Sequence, residues 1–264
     1  MKKAFMLLMA MVMMVMMVAG CGGGEKKPAD KAAEAPKVLR VGTEPTFAPF
    51  EFQKEGSKDF DGFDMDLIRA IGKQLNMKVE IQNMGFDALI PAINAGNLDV
   101  SIAGFSITEE RKKQVIFSQP YYKSGLAFVV RKDVNDVKKF EDLQGKTIAV
   151  QLGTTGALYG EKLKEKGAVV KTFNTSDLAC MELKNKGADA VISDLPVLQY
   201  FLKNGGSDYA KLAGEPLTAE DYGIVISKKK PELAKEVDKA LDALKKNGTY
   251  DKLYEKWFGS KPAK

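Results

Sequence analysis

Two stretches of the sequence carry the same pattern and decide the fold: residues 87–106, DALIPAINAGNLDVSIAGFS, and residues 177–194, DLACMELKNKGADAVISD. Each begins with an aspartate and continues with apolar residues at helical spacing, followed by a glycine, a second aspartate and a short strand-like run. Aspartate suits a helix start and glycine a left-handed helix end, so the pattern predicts a helix followed by a strand. We therefore predict a structural repeat, with Gly96 and Gly187 at the helix ends, although shared helix-end preferences explain part of the match.

From residue 37 onward, short β-branched runs alternate with helical patterns, which is typical of an α/β protein with mainly parallel sheets. The predicted strands span residues 38–42, 78–81, 100–103, 146–151, 168–173, 188–193 and 223–227. The predicted helices span residues 156–166, 177–186, 231–247 and 250–258, with two more around residues 67–75 and 86–93. Each copy of the repeat therefore has the elements for a sheet flanked by helices.

The repeat predicts two lobes that face each other across a cleft. The predicted boundaries are residues 38–121 and 222–264 for lobe 1, residues 126–217 for lobe 2, and hinge crossings at about 121–125 and 218–222.

Ligands of parallel α/β sheets bind beyond the carboxyl ends of the strands. Those ends are Ala103-Gly104-Phe105-Ser106 in one copy of the repeat and Ser193-Asp194 in the other. We therefore expect both ends to line the cleft.

The composition excludes several classes of function. The 264 residues include 40 basic and 35 acidic ones, and the formal net charge of +5 is too weak and scattered to indicate nucleic-acid binding. The chain has no histidine, so it cannot form a Ser-His-Asp triad or a histidine-ligated metal site. We expect no metal, no cofactor and no nucleic-acid partner.

The N-terminal residues 1–20 have the order of a secretory signal peptide: two lysines, an apolar run, and small residues before Cys21. The apolar run is short for a membrane span of roughly 20 residues. Its end resembles a bacterial lipobox, which implies cleavage before Cys21 and lipidation of that cysteine; an uncleaved anchor is the alternative. We predict that residues 21–37 comprise the lipidated cysteine and a flexible tether. We expect Cys180 to be a buried thiol without a disulfide partner.

Five segments, in this order, carry a resemblance to a known family: TEPTFAPFEF (43–52), GFDMDL (62–67), FDALIP (86–91), SITEERK (106–112) and KWFG (256–259). Together they resemble the type 3 solute-binding proteins of polar amino acid ABC transporters, above all the glutamine and the lysine/arginine/ornithine binders. The resemblance extends over residues 38–259. It implies a two-lobed periplasmic-binding-protein fold of type II and a monomer that docks on the membrane permease subunits of an ABC importer.

The resemblance also implies which residues hold the backbone of a bound amino acid. Arg111 corresponds to the arginine that grips the α-carboxylate, because a planar guanidinium offers two parallel donors at carboxylate spacing. Ser106 and Thr155 match positions that donate further hydrogen bonds to this carboxylate. Asp194 matches the acid that accepts the α-ammonium group, with help from the carbonyl region of Ala103.

Two aromatic residues, Phe47 and Phe86, correspond to the rings that sandwich the aliphatic part of the ligand. Each of these assignments has a plainer alternative. Arg111 in isolation is typical of a solvated helix face, Asp194 of a helix cap, and the two phenylalanines of ordinary core.

The ligand's side chain is predicted from a departure from the family. The glutamine binders resembled here carry a lysine and a histidine where this chain has Gln151 and Ser193, and an aspartate where it has Glu44. The side-chain end of the pocket is then left with a carboxylate and neutral polar groups. Because a cationic tip pairs with Glu44 and a neutral amide satisfies it only in part, we predict arginine or lysine as cargo, with glutamine as the alternative.

We therefore predict an extracytoplasmic, lipid-anchored binding protein that captures a polar amino acid and performs no chemistry. An enzyme similar to cyclohexadienyl dehydratases is a less favoured alternative, because Glu44 has the chemistry of a general acid. A sensory domain is a third class, but such proteins continue into a membrane span and an output domain.

Overall fold

The computed structural model of the protein describes residues 37–54 and 56–262. The predicted signal peptide, the lipidation site Cys21 and all but the last residue of the predicted tether lie outside the described residues. Within the part that is described, no helix is both long and apolar enough to cross a membrane.

The strands alternate with helices along most of the chain. In chain order the strands are β1 (Lys37–Thr43), β2 (Thr46–Phe47), β3 (Glu51–Gln53), β4 (Phe60–Asp61), β5 (Met77–Asn83), β6 (Val100–Ser101), β7 (Ile116–Phe117), β8 (Tyr122–Ser124), β9 (Leu126–Arg131), β10 (Thr147–Gln151), β11 (Val169–Phe173), β12 (Ala190–Asp194), β13 (Ala210–Ala213), β14 (Glu220–Tyr222) and β15 (Val225–Ile226). The helices are α1 (Phe63–Gln74), α2 (Phe86–Ala95), α3 (Glu109–Lys112), α4 (Thr155–Lys164), α5 (Ser176–Lys184), α6 (Leu195–Lys203), α7 (Pro231–Lys246) and α8 (Thr249–Phe258).

Two five-stranded sheets form the centres of two lobes. The strand order is β5-β1-β6-β15-β7 in the first sheet and β11-β10-β12-β9-β13 in the second. In both sheets the first three strands of this order are parallel and the fourth is antiparallel to the third. The two-lobed α/β fold is as predicted, and the sheets are mixed because β9 and β15 reverse the chain direction.

The two aspartates that follow the repeated helices occupy equivalent places. The Asp99 carboxylate accepts a hydrogen bond from the Arg40 backbone N–H at 2.8 Å, and the Asp189 carboxylate accepts one from the Thr147 N–H at 2.8 Å. Each aspartate N–H also donates back to the carbonyl of the same partner. Asp99 therefore fastens the chain before β6 to β1, and Asp189 fastens the chain before β12 to β10, which supports the predicted repeat.

One helix-end prediction was wrong. Gly96 has the predicted left-handed backbone, with φ 84°. In the second copy, Lys186 rather than Gly187 takes a left-handed conformation, with φ 58°. The predicted strand at 100–103 is also shorter, because after Ser101 the chain leaves the sheet as a loop in which Gly104 has φ 55°.

The lobes have separate cores. α1, α7 and α8 pack against the first sheet around Phe63, Ile68 and Leu241, all of which are fully buried. α4 lies on one face of the second sheet and α5 on the other. Cys180 is buried among the residues of α5, and this burial raises its pKa to about 12, as expected for an unreactive thiol.

The two segments predicted as crossings between the lobes pair with each other. β8 and β14 form a two-stranded antiparallel ribbon in which Tyr122 lies opposite Tyr222. The Tyr121 N–H donates to the Tyr222 carbonyl at 2.9 Å just before the ribbon. The exact hinge boundaries remain a prediction.

Candidate ligand-binding cleft

A narrow cavity, with a free volume of about 10 Å³, lies between the lobes and is lined by residues of both. Ten of the eleven residues predicted to bind the ligand line it: Glu44, Phe47, Phe86, Ala103, Gly104, Ser106, Arg111, Gln151, Thr155 and Asp194. Sequence reasoning missed two further lining residues, Glu51 and Thr154.

Ser193 is the predicted residue that does not line the cavity. It is half-buried and lies on β12, opposite Ala127 of β9. Successive side chains of a strand point to opposite faces, so Ser193 points away when its neighbour Asp194 points into the cleft. The strand alternation was visible in the sequence and would have separated the two residues.

Arg111 is held at the cavity by α3. The Thr108 hydroxyl caps this short helix by accepting from the Arg111 N–H at 3.2 Å. The guanidinium group donates to the Ser106 carbonyl at 2.8 Å and, across the cleft, to the Gly153 carbonyl at 3.1 Å. Burial lowers the pKa of Arg111, and the nearby carboxylates of Asp194 and Glu220 oppose that shift, so the group stays charged.

The Arg111 guanidinium also lies over two stacked aromatic rings. The centres of Phe86 and Phe105 are 4.4 Å apart, with 25° between the ring planes. The guanidinium carbon is 5.4 Å from the centre of Phe86 and 5.2 Å from that of Phe105. These contacts restrict the guanidinium plane and favour its positive charge.

Asp194 belongs to the second lobe, at the end of β12 and the start of α6. Its side chain does not cap that helix; instead it accepts hydrogen bonds from the Tyr222 hydroxyl and, at 3.4 Å, from the Ser124 hydroxyl. Burial raises the pKa of Asp194 to about 7, against the effect of these hydrogen bonds and of Arg111. Among the described residues, no Lys or Arg side chain forms an ion pair with Asp194, so burial has the largest effect on its pKa.

Glu44 lies at a third position and receives donors from both lobes. The Thr46 hydroxyl donates to it at 2.8 Å, and the Gln151 side-chain amide donates at 2.9 Å. Burial raises the pKa of Glu44, and these two hydrogen bonds partly offset the shift. Thr46 also accepts from the Ser176 N–H at the start of α5, at 3.1 Å.

Two threonines at the start of α4, Thr154 and Thr155, line the cavity and make different hydrogen bonds. Thr154 caps the helix by accepting from the Ala157 N–H at 3.1 Å. Thr155 was predicted to donate to a ligand, and its hydroxyl donates to the Glu220 carboxylate of β14 at 3.1 Å. The N-terminus of α4 adds positive potential to this end of the cavity.

The cavity is acidic and offers no cluster for a metal. Among its lining residues Arg111 is the one cation, against the carboxyl groups of Glu44, Glu51 and Asp194. Throughout residues 37–54 and 56–262, no group of three or more Cys, Asp and Glu side chains is placed to hold a metal ion. The geometry suits a small molecule with one anionic and more than one cationic group.

Comparisons with known proteins agree with this geometry. Residues 39–260 match the sequence model of the bacterial extracellular solute-binding proteins, family 3. The arginine-binding periplasmic protein of Mannheimia haemolytica is 37% identical over 224 residues, which cover 83% of this chain and 90% of that protein.

Solved structures with the same fold carry amino acids. An ancestral arginine-binding protein bound to arginine is 48% identical with a TM-score of 0.81, covering 84% of this chain and 98% of the other. One bound to glutamine is 47% identical with a TM-score of 0.81, covering 86% of this chain and 100% of the other. The family match spans nearly every residue that the structure describes, and this chain belongs to the bacterial extracellular solute-binding proteins, family 3.

Proposed function

We propose that this protein captures a free amino acid with a cationic side chain, arginine or lysine, and delivers it to the membrane permease of an ABC importer. The observation that carries this proposal is that three ionisable groups line one cavity: Arg111 and Glu44 from the first lobe and Asp194 from the second. An amino acid with a basic side chain has one anionic and two cationic groups to match them.

The backbone of the ligand lies between Arg111 and Asp194 in this proposal. The Arg111 guanidinium, the Ser106 hydroxyl and the N-terminus of α4 surround the α-carboxylate. The Asp194 carboxylate and the carbonyl groups near Ala103 and Gly104 receive the α-ammonium group. The α-ammonium group of the ligand supplies Asp194 with a cationic partner. Every α-amino acid gains this charge-assisted hydrogen bond on binding.

The side chain of the ligand ends at Glu44. Thr46 and Gln151 supply neutral donors to this carboxylate, and no cation lies among its described hydrogen-bond partners. A guanidinium or ammonium tip gains a charge-assisted hydrogen bond there. Glutamine remains the alternative, because its amide also donates to a carboxylate, and the ancestral structures bound to arginine and to glutamine support either choice.

A thermal-shift screen of the twenty amino acids, followed by calorimetry, tests the proposal. A ligand at about 100 times its Kd stabilises the fold by roughly 2.7 kcal/mol, so arginine and lysine are expected to give the largest increases in Tm. A larger increase with glutamine would reverse the order of cargoes. If none of the twenty amino acids raises the Tm, the binding function itself is wrong.

An enzymatic function similar to that of cyclohexadienyl dehydratases is the second candidate. It is favoured only by the carboxyl group of Glu44, whose pKa is raised by burial as in a general acid. The Glu44 carboxylate accepts hydrogen bonds from Thr46 and Gln151. These donors favour a carboxylate that stays an acceptor over one that gives up a proton. Release of water from a cyclohexadienyl acid incubated with the purified protein would support the enzyme.

The membrane anchor and the oligomeric state complete the proposal. The lipobox-like residues 18–21 support lipidation of Cys21 after removal of the signal peptide, and the polar segment that follows gives the domain reach from the membrane. We expect a monomer, which sedimentation of the ligand-free and arginine-bound protein tests. A dimer that forms on arginine binding would contradict this part of the proposal.

A further inference from the structure

Glu51 and Asp64 are buried carboxyl groups beneath the cavity that the proposed function does not use. Glu51 is 1% exposed and lies on β3, where it pairs with Phe47 of β2 and lines the cavity. Asp64 is fully buried in the first turn of α1. One oxygen of each group, Glu51 Oε2 and Asp64 Oδ1, has no hydrogen-bond partner among the described residues. The Asp64 N–H donates to the carbonyl of Phe50, the residue before Glu51, at 2.9 Å, which places the two groups side by side.

A single proton between the two groups resolves this deficit. Two carboxylates in contact in a buried site cannot both be ionised, because their repulsion adds to the loss of hydration. Burial raises the pKa of Glu51 well above its usual value, and contact with Asp64 raises it further. Burial also raises the pKa of Asp64, but only to about 6, because Gly104, Tyr121 and Glu51 donate hydrogen bonds to it. The proton therefore belongs on Glu51, with Asp64 as the acceptor.

Asp64 connects this pair to the wall of the cavity. Its Oδ2 accepts from the Gly104 N–H at 3.0 Å and from the Tyr121 hydroxyl at 2.8 Å. Gly104 has φ 55°, and a Cβ at this position would lie 2.7 Å from the Phe47 ring. The Gly104 peptide, which lines the cavity between Ala103 and Ser106, is thus held from behind by a carboxylate.

We propose that Glu51 and Asp64 share one proton beneath the cavity, and that this pair positions the Gly104 peptide for the ligand. The positioning role rests on the proposed amino-acid binding, whereas the shared proton does not. Other titratable groups face the pair: Glu44, Asp194, Tyr121, Tyr222 and Tyr250.

The shared proton is tested by Glu51→Gln in the ligand-free protein. The folded parent keeps a proton on Glu51 that the unfolded chain loses above pH 4.5, so this group makes the parent less stable as the pH rises. The glutamine amide donates to Asp64 at every pH. We expect equal Tm values near pH 4.5 and a Tm about 3 °C or more higher for the variant at pH 8. A difference that stays constant between these pH values overturns the shared proton.

A second measurement covers the case in which the variant does not fold. The side-chain carboxyl carbon of Glu51, followed by NMR in the parent, is expected to keep the chemical shift of a protonated acid at pH 7. The shift of an ionised carboxylate at that pH overturns the proposal.

The positioning role is tested by Asp64→Ala, with Asp66→Ala as the matched control on the same helix. The Asp66 carboxylate accepts from Trp257 and Lys256 and does not line the cavity. We expect arginine affinity to fall tenfold or more in Asp64→Ala and to stay within threefold in the control. A folded Asp64→Ala protein with arginine affinity within threefold of the parent overturns the positioning role.

The Gly104 amide resonance gives a readout that needs neither ligand nor the Asp64 variant. In the ¹⁵N-labelled Asp194→Asn protein, which lacks the nearby titration of Asp194, it is expected to shift as Asp64 titrates near pH 6. A resonance that is constant from pH 5 to pH 8 contradicts the hydrogen bond on which positioning depends.

If the parent binds no amino acid at all, the proposed function fails. The Tm comparison still decides whether Glu51 and Asp64 share a proton, and the titration still decides whether Asp64 holds the Gly104 peptide.

Discussion

The Gln151 side-chain amide donates to the Glu44 carboxylate at 2.9 Å, and this hydrogen bond joins the two lobes directly beside the cavity. Gln151 ends β10 of the second lobe, and Glu44 follows β1 of the first. Because Glu44 is buried, the amide and the Thr46 hydroxyl supply hydrogen bonds that water would otherwise give. The same carboxylate thus helps to hold the lobes together and faces the expected position of the ligand's side chain.

Glu44→Gln tests the charge at this end of the cavity. The change keeps size and hydrogen-bonding capacity but removes the partner of a cationic ligand tip. Arginine binding measured by calorimetry is expected to weaken by roughly 2 kcal/mol or more, and glutamine binding to stay equal or improve. Glu110→Gln, at an exposed position of α3, serves as the control. A larger loss for glutamine than for arginine would identify Glu44 as an amide acceptor.

Arg111→Ala tests the grip on the α-carboxylate. The change leaves a buried ligand carboxylate without its bidentate donor and is expected to cost about 2 to 5 kcal/mol of amino-acid binding. Lys112→Ala, the next residue on the same helix with an exposed side chain, is expected to bind normally. Calorimetry that finds the affinity of Arg111→Ala within threefold of the parent would show that this assignment is wrong.

The raised pKa of Asp194 predicts that amino-acid binding depends on pH. A carboxyl group with a pKa of about 7 is partly protonated in the ligand-free protein and has to ionise to pair with an α-ammonium group. Affinity is therefore expected to fall roughly 25-fold as the pH falls from 7.5 to 5.5, with release of a proton on binding. Calorimetry in buffers of different ionisation enthalpy measures this proton.

Asp194→Asn is the control for this pH dependence, because Glu44 and Asp64 also titrate near the cavity. The variant is expected to bind more weakly than the parent, with a flatter pH profile. The same raised pKa makes the ligand-free parent less stable as the pH rises from 3.8 to about 7, because the folded chain binds the proton more tightly than the unfolded one. Identical profiles for parent and variant would contradict the role of Asp194.

Cys21→Ser tests the proposed lipid anchor. Without the thiol that accepts the lipid, the protein is expected to leave the membrane fraction while its amino-acid affinity stays unchanged. Cys180→Ser, which alters the buried cysteine of α5, is expected to remain in the membrane fraction. Fractionation of cells followed by immunodetection distinguishes the two variants, and retention of a processed Cys21→Ser protein in the membrane would exclude this anchor.

Much of the fold was predictable from the sequence because its determinants are local. Helix starts, helix ends and strand runs repeat in residues 87–106 and 177–194, and the structure places them in equivalent positions of two sheets. The left-handed conformation of Lys186 was missed. The helix-end pattern predicts this conformation at Gly187, and the chain takes it one residue earlier.

Arg111 and Asp194 were predicted to bind the ligand by resemblance, since each residue alone is typical of an ordinary helix face or helix cap. Glu51 was missed because its neighbours in the sequence predict an ordinary polar position on a short strand. Only the fold brings it against Asp64, and neither residue by itself indicates a buried acid pair. Ser193 was placed in the cavity by its position at the end of a strand and by resemblance, although the alternation of β12 puts it on the opposite face from Asp194.

The ribbon of β8 and β14 limits how the two lobes can move. A single connecting strand would leave the second lobe free to swivel about the strand's long axis. Two strands joined by hydrogen bonds restrict that rotation, so we expect the lobes to move by a bend across the ribbon. We therefore expect the ribbon to resist a sideways tilt of one lobe. Under that expectation, a ligand whose charges are differently spaced calls for new side chains in the cavity, and not for a new angle between its walls.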